Sequence, residues 1–212
     1  MRLTINLSEM TAMVRKELKD EAGELWSDEE LTWHITRTVK DFSAELPLES
    51  RGNIATTSGS REVDISGMDD IVMLRAVEYP VGDSPASYVR FSLWGDTLTI
   101  LGDRVPDGSD CRVYYGKLHT LDVVECTVPG RCHELIAAGA AGYAAVSWAV
   151  YSINRVNVGG KDISASYLGW GGERLEFFRK ETKRVGRTNR VRTGQLYVPG
   201  HTPVSGTTDY GP

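Results

Sequence analysis

Residues 135–153 constrain the fold most: they form a run of 19 without a charged side chain, and nine of them are Ala or Gly. Such a segment spans a membrane, lies in a protein core, or packs against other copies of itself. A span needs about 20 predominantly apolar residues, but Ala and Gly contribute little to transfer into a bilayer. We therefore predict a buried helix and no membrane association, because small side chains let neighbouring backbones approach closely. The residues assigned to helix packing are Gly139, Ala140, Gly142 and Ala145.

Composition is that of an ordinary globular protein, with 41% hydrophobic and 25% charged residues in a chain of 212. The net charge of −5 gives no global reason to expect nucleic-acid binding. Three cysteines, an odd number, argue against a disulfide framework and favour a reducing compartment. The N-terminal residues show no secretory signal.

Two helices are predicted near the N-terminus. The first covers about residues 8–21, with Ser8 as its N-cap. The second begins with a capping box, in which Ser27 is the N-cap and Glu30 the third helical residue. Apolar residues then recur at helical spacing until Pro47 ends the helix.

From residue 51 to about 124 the apolar pattern changes from helical spacing to alternation, which is typical of strands. Turn signals such as Gly95, which follows one alternating run and precedes another, indicate antiparallel hairpins. The candidate strands are Asn53–Thr57, Glu62–Ile65, Ile71–Tyr79, Tyr88–Trp94, Thr97–Leu101 and Arg112–Leu118.

Two more helices are predicted after Pro129. The third helix of the chain reaches about Arg155, and the fourth covers about residues 162–184. Glycines interrupt the fourth helix, and each one costs roughly 1 kcal/mol relative to Ala in a helix interior. The glycines therefore mark either a break or a place where another backbone comes very close. They are Gly169, Gly171 and Gly172.

The fold predicted from these elements is α+β: a small helical bundle with an inserted antiparallel β-subdomain and an extended C-terminal arm. The bundle takes residues 1–50 and 127–184, the β-subdomain 51–126, and the arm 185–212. Residues 186–212 contain five Gly and three Pro and cannot build a core. The arm either stays disordered or becomes ordered on a partner, where a short β-prone segment can add as an edge strand. That segment is Gln195, Leu196, Tyr197 and Val198.

The sequence contains no recognisable catalytic or cofactor motif, so we predict a protein that is not an enzyme and binds no cofactor. Cys126, Cys132 and His133 lie close together in sequence, but their spacing is not that of a zinc site. We predict structural thiols there and no metal.

Charge is distributed unevenly. Residues 173–192 contain eight Lys or Arg and three Glu, a local net charge of +5, whereas the first 50 residues lean acidic. The basic segment is either a solvated helix face or a surface that meets an anionic partner. One function consistent with it is a monomeric nucleic-acid- or partner-binding module acting through residues 173–192. The arginines that continue toward the C-terminus are Arg184, Arg187, Arg190 and Arg192.

Several short motifs occur in a specific order along residues 8–182. They are W-S-D-E-E-L at 26–31, V-E-Y-P at 77–80, F-S-L-W-G-D-T-L at 91–98, V-Y-Y-G-K-L-H-T-L at 113–121, and T-V-P at 127–129 before E-L-I at 134–136. In this order the chain resembles the head-to-tail adaptor (connector, or head completion) proteins of tailed bacteriophages.

This resemblance implies a structural virion protein at the neck, assembled in the host cytoplasm. Such proteins form a homo-oligomeric ring, usually a dodecamer, that joins the portal protein to the tail or to a tail-terminator or stopper protein. The ring lines a channel for genome ejection, through which double-stranded DNA passes without sequence-specific binding. Residues 183–212 would reach the portal, and the portal-side residues would be Arg184, Arg187, Arg190, Arg192, Leu196, Tyr197 and Val198.

Overall fold

The computed structural model describes residues 5–152 and 163–194. These residues form two compact units, which we call the helical unit (residues 5–46 and 119–191) and the β unit (residues 47–118). The described chain contains four α-helices and a six-stranded antiparallel sheet, which confirms the mixed α+β class. β1 begins at Leu48, inside the stretch that we assigned to the bundle, and residues 119–126 pack with the helical unit instead of the sheet.

Helix α1 spans Leu7–Leu18 and begins earlier than predicted. Its N-cap is Asn6, whose side chain accepts the Glu9 N–H at 2.9 Å, while the Glu9 carboxylate accepts the Asn6 N–H at 3.0 Å. The prediction of Ser8 as the cap was therefore wrong. Asn caps as well as Ser, and the reciprocal bonds with Glu9 fix the start at Asn6.

Helix α2 spans Asp28–Glu45, and its predicted capping box is present. The Ser27 hydroxyl accepts the Glu30 N–H at 3.2 Å, and the Glu30 carboxylate accepts the Ser27 N–H at 2.9 Å. One face of the helix is buried in the core of the helical unit. Its apolar members are Leu31, Ile35, Val39 and Phe42.

A short 3₁₀ turn at Gly130–Cys132 leads into helix α3, His133–Ser152, and helix α4 spans Ile163–Gly194. α4 continues through its glycines without a break and extends past residue 184. Residues 185–194, which we assigned to the extended arm, are therefore helical. The remainder of the predicted arm, 195–212, lies outside the described residues.

Helix α3 is the buried element that the sequence predicted. Among the described residues, one helical segment, Gly130–Ser152, is long and apolar enough to cross a membrane by length and composition. Within the fold, 61% of its most apolar window is buried. Such burial is characteristic of a core helix, which already has protein on most of its surface.

The β unit is a single sheet with strand order β1-β6-β3-β4-β5-β2, in which every neighbouring pair is antiparallel. Alternate residues of the strands face one apolar core, which includes Val77, Leu98, Ile100 and Val113. The strands are β1 Leu48–Ala55, β2 Glu62–Asp64, β3 Ile71–Glu78, β4 Tyr88–Trp94, β5 Thr97–Leu101 and β6 Asp110–Lys117.

The turn before β6 is held by one carboxylate. The Asp107 side chain accepts hydrogen bonds from the Tyr79 hydroxyl at 2.8 Å and from the Ser109 hydroxyl at 2.7 Å. It also accepts the Ser109 N–H at 3.0 Å. These bonds, the Ser109 hydroxyl first, lower the pKa of Asp107 to about 2. Gly108 supplies the positive φ of 97° that the turn requires.

Candidate interaction surfaces

The sulfur and imidazole groups around residue 130 form structural contacts. Cys126 Sγ lies 3.8 Å from His133 Nε2, and that ring nitrogen donates to the Val128 carbonyl at 3.1 Å. Burial raises the pKa of the Cys126 and Cys132 thiols, which keeps them protonated. Within residues 5–152 and 163–194, no group of three or more His, Cys, Asp or Glu side chains is placed to hold a metal ion.

Helices α3 and α4 cross at a pair of glycines. A Cβ atom added to Gly171 would lie 2.9 Å from the carbonyl oxygen of Gly142, and a Cβ on Gly142 would lie 3.1 Å from the carbonyl oxygen of Gly171. The two backbones are therefore in direct contact. The sequence left two explanations for the glycines in α4, a break in the helix or a close approach of another backbone. Close approach explains Gly171, whereas a Cβ on Gly169 or Gly172 would meet no described atom within 4 Å.

The other small residues of α3 also serve contacts inside the helical unit. A Cβ on Gly139 would lie 2.7 Å from a Thr38 methyl carbon of α2 and 2.8 Å from the Phe178 ring of α4. Ala140 and Ala145 are fully buried. The four residues that we assigned to helix packing thus face neighbouring elements of the same chain, and they offer no surface to a second copy.

An aromatic cluster that the sequence did not reveal joins three helices. Trp26, just before α2, lies 6.4 Å from Trp148 of α3 and 6.0 Å from Tyr167 of α4, measured between ring centroids. Trp148 and Tyr167 lie 4.6 Å apart. Tilted and edge-on aromatic pairs at these separations stabilise beyond their buried area, so the cluster fixes the start of α2 against α3 and α4.

The connection between α1 and α2 is a rigid corner with acidic side chains on its surface; we call residues 20–29 the acidic corner. The buried Asp20 carboxylate accepts the backbone N–H groups of Glu24 at 2.8 Å, Leu25 at 3.2 Å and Trp26 at 3.1 Å. Arg15 donates to Asp20 at 3.2 Å and to the Trp26 carbonyl at 2.9 Å. The exposed residues of the corner include Glu21, Glu24, Leu25, Asp28 and Glu29.

The basic segment predicted at 173–192 lies on α4, which buries one face and exposes the other. The buried positions follow helical spacing at 171, 175, 178, 182 and 186. Arg184 and Arg187 are exposed, and Arg184 pairs with Glu181 at 2.8 Å. Of the other predicted portal-side residues, Arg190 and Arg192 lie on α4 with undescribed side chains, and Leu196, Tyr197 and Val198 lie outside the described residues.

Between α2 and α4 lies a cleft of about 390 Å³, which we call the α2/α4 cleft. The Arg37 guanidinium lies 4.1 Å from the centroid of the Tyr143 ring, and the Tyr143 hydroxyl donates to Asp41 at 2.5 Å. Burial, and then the Asp41 carboxylate, raise the pKa of Tyr143. Arg179 and Lys183 line the α4 side of the cleft. Sequence reasoning missed this site because its residues are far apart along the chain.

One wall of the α2/α4 cleft carries a polar atom without a partner. Thr182 is buried, and its hydroxyl oxygen makes no hydrogen bond to any described residue. A buried hydroxyl without a partner costs roughly 1–3 kcal/mol. The α4 side of the cleft therefore contains a buried hydroxyl that no described group satisfies.

A larger cleft of about 710 Å³ lies between α1, α3 and α4, and its α4 cation, Arg174, already makes contacts within the helical unit. Arg174 pairs with Glu17 of α1 at 3.6 Å and lies 5.3 Å from the centroid of the Trp170 ring. These contacts hold α4 to α1. Lys16, Lys19 and Glu134 also line this larger cleft.

Exposed apolar side chains occur in both units. Trp94, at the end of β4, is 88% exposed, and its neighbour Leu93 is also exposed. In the helical unit, Val124 is 93% exposed and Trp33 is 59% exposed. Exposed apolar side chains that are neighbours, such as Leu93 with Trp94 and Val123 with Val124, mark candidate protein-contact surfaces, whereas a single one does not.

Comparison with known proteins gives no assignment: no protein-family model matches the chain, and no curated protein matches it.

Proposed function

We propose that this chain is a structural virion protein, a head-to-tail adaptor that forms a ring between the portal and the tail. The observation that carries the proposal is the order of its parts: two helices, then the β unit, then the helix α3 and the long helix α4. This is the order in which the adaptor-like motifs occur in the sequence.

The distribution of exposed apolar side chains supports a subunit with several protein neighbours. A ring subunit contacts a copy on each side, the portal above and the tail below, and each contact needs its own patch. Trp94 lies in β4, Trp33 in α2, and Val124 in the loop between β6 and α3. The two Trp side chains are anchors of the kind that is enriched at interface centres, and Val124 adds exposed apolar area.

The charge of the chain suits a channel for DNA. A net charge of −5 gives no strong general attraction for phosphate. Double-stranded DNA would pass such a ring without sequence-specific binding, since tight binding would slow its passage. We expect a twelve-fold ring, as the resemblance implies, with residues 183–212 directed to the portal.

Deleting the gene from the virus that encodes this chain tests the proposal. We expect DNA-filled heads and free tails that do not join, and we expect the chain supplied from a plasmid to restore tailed particles. Electron microscopy of lysates and plaque counts give the readout. Tailed, infectious particles in the absence of the chain would refute the adaptor function.

A monomeric module that binds an anionic partner is the second candidate, because the exposed face of α4 carries Lys180, Lys183 and Arg187. This function requires a monomer at all protein concentrations, with DNA affinity that falls steeply as salt rises. Sedimentation and fluorescence anisotropy at two salt concentrations distinguish it from the adaptor.

A further inference from the structure

We propose that the acidic corner of one subunit docks into the α2/α4 cleft of the next subunit, so that copies of this chain associate head to tail. The inference rests on the proposed ring and names the surfaces that would build it. Both surfaces belong to the helical unit, so every copy carries one of each. A contact between two different patches is heterologous, and repetition of it closes a ring when the rotation allows.

The cleft supplies the receiving side. Arg179 and Lys183 lie on its α4 wall and Arg37 on its α2 wall. The Arg37 guanidinium carbon lies 4.1 Å from the centroid of the Tyr143 ring, and this cation–π contact restrains an otherwise exposed side chain.

Apolar surface contributes little to the receiving side. Of the apolar side chains that line the cleft, Ala44 is exposed, but Phe178 is almost fully buried by its own subunit. An occupant that carries exposed carboxylates therefore fits the cleft best.

The acidic corner carries such carboxylates. Glu21 and Glu24 are exposed on the same connection, and Leu25, directly after Glu24, is 47% exposed. The three backbone N–H bonds to Asp20 hold the corner in one conformation before any contact forms. A preordered loop loses little conformational entropy on binding, which leaves more of the contact energy as affinity.

Three cations and two carboxylates line the cleft, so a net charge of +1 remains to attract the corner. The carboxylates are Asp41, which accepts the Tyr143 hydroxyl, and Glu45, one turn further along α2. Additional cations, Lys40 and Lys180, are exposed nearby on the same two helices. Complementary charge of this kind sets the orientation of partners and raises the rate of their encounter.

Charge reversal tests the contact. The corner variant carries Glu21→Lys and Glu24→Lys. The cleft variant carries Arg179→Glu and Lys183→Glu. A control variant carries Glu62→Lys and Asp110→Lys, which make the same change of charge as the corner variant but lie in the β unit. All six side chains are exposed, so circular dichroism should match that of the wild type. Native mass spectrometry and sedimentation at low and high salt measure assembly.

We expect the wild type and the control to assemble, and each reversed variant alone to stay monomeric, with self-association weakened at least about 100-fold. An equimolar mixture of the corner and cleft variants should assemble again, because each meets the opposite charge on the other. Recovery on mixing excludes a purely structural effect of the substitutions.

Two results would overturn the inference, and they differ in what they say about the ring. If either reversed variant assembles like the wild type, the ring uses another contact and the adaptor function still stands. If the wild type is monomeric at every protein concentration and at low salt, the proposed self-association is wrong. Gene deletion then decides the adaptor function independently.

Discussion

Substituting two neighbouring glycines of α4 by alanine should stabilise the fold at one position and not at the other. Gly171 and Gly172 occupy the same helix, so each alanine gains about 1 kcal/mol of helix propensity. At Gly172 no atom of residues 5–152 or 163–194 lies within 4 Å of the new carbon, apart from the neighbouring backbone of α4 itself. At Gly171 the new carbon would lie 2.9 Å from the Gly142 carbonyl oxygen and 2.9 Å from a Val146 methyl carbon.

The contact at Gly171 involves backbone, so no change of rotamer relieves it, and α3 and α4 must move apart. Overpacking of this kind costs about 1–3 kcal/mol. Gly172→Ala should therefore raise the free energy of unfolding by about 1 kcal/mol, and Gly171→Ala should leave it unchanged or lower it by up to about 2 kcal/mol. Gly169→Ala, which also has open space, serves as a second control and should match Gly172→Ala.

Urea unfolding followed by far-ultraviolet circular dichroism gives these differences, because the signal reports mainly the helical unit. The slopes should be equal among the variants, which shows that the change lies in stability and not in compactness. If Gly171→Ala is stabilised as much as Gly172→Ala, the backbones of α3 and α4 are not in direct contact, and the account of the small residues is wrong.

Four further predictions follow from the structure. Asp20→Ala should lower stability by about 3 kcal/mol in urea unfolding, because it leaves three backbone N–H groups without their acceptor and removes one of the two carboxylates that pair with Arg15. Asp107 has a pKa in the folded protein that lies below its unfolded value, so its charge stabilises the fold above about pH 4. In acid titrations of both proteins, the stability advantage of the wild type over Asp107→Asn should persist above that pH and vanish as the pH falls toward about 2. Trp94→Ala should leave the melting temperature unchanged, since the ring is exposed, yet weaken incorporation into particles, as measured by pull-down on heads and tails. Truncation after Gly194 should leave circular dichroism and melting unchanged while abolishing docking to the portal; retained docking would remove the C-terminal segment from the proposed contact.

Local signals predicted the local parts of this fold. The capping box at Ser27 and the hairpin formed by β4 and β5 were predicted with their observed bounds, because each depends on residues only a few positions apart. The start of α1 was misplaced because Asn6 and Ser8 are both good caps, and the choice between them depends on the reach of Glu9.

Contacts between distant residues were beyond the reach of sequence patterns. The register of β1 against β6 pairs Leu48 with Lys117, and no turn connects those strands directly. The continuity of α4 also depends on packing, since contact with α3 stabilises a helix that its glycines alone would weaken. The α2/α4 cleft brings Arg37, Tyr143 and Thr182 together from three helices, and only the fold reveals it.

Electron cryo-microscopy of the neck of intact particles tests the central claim most directly. The account predicts a ring of identical subunits between portal and tail, into which the helical and β units of this chain fit, with the acidic corner of each helical unit in the α2/α4 cleft of its neighbour. A neck whose density is fully explained by other proteins, with no copy of this chain between portal and tail, would contradict it.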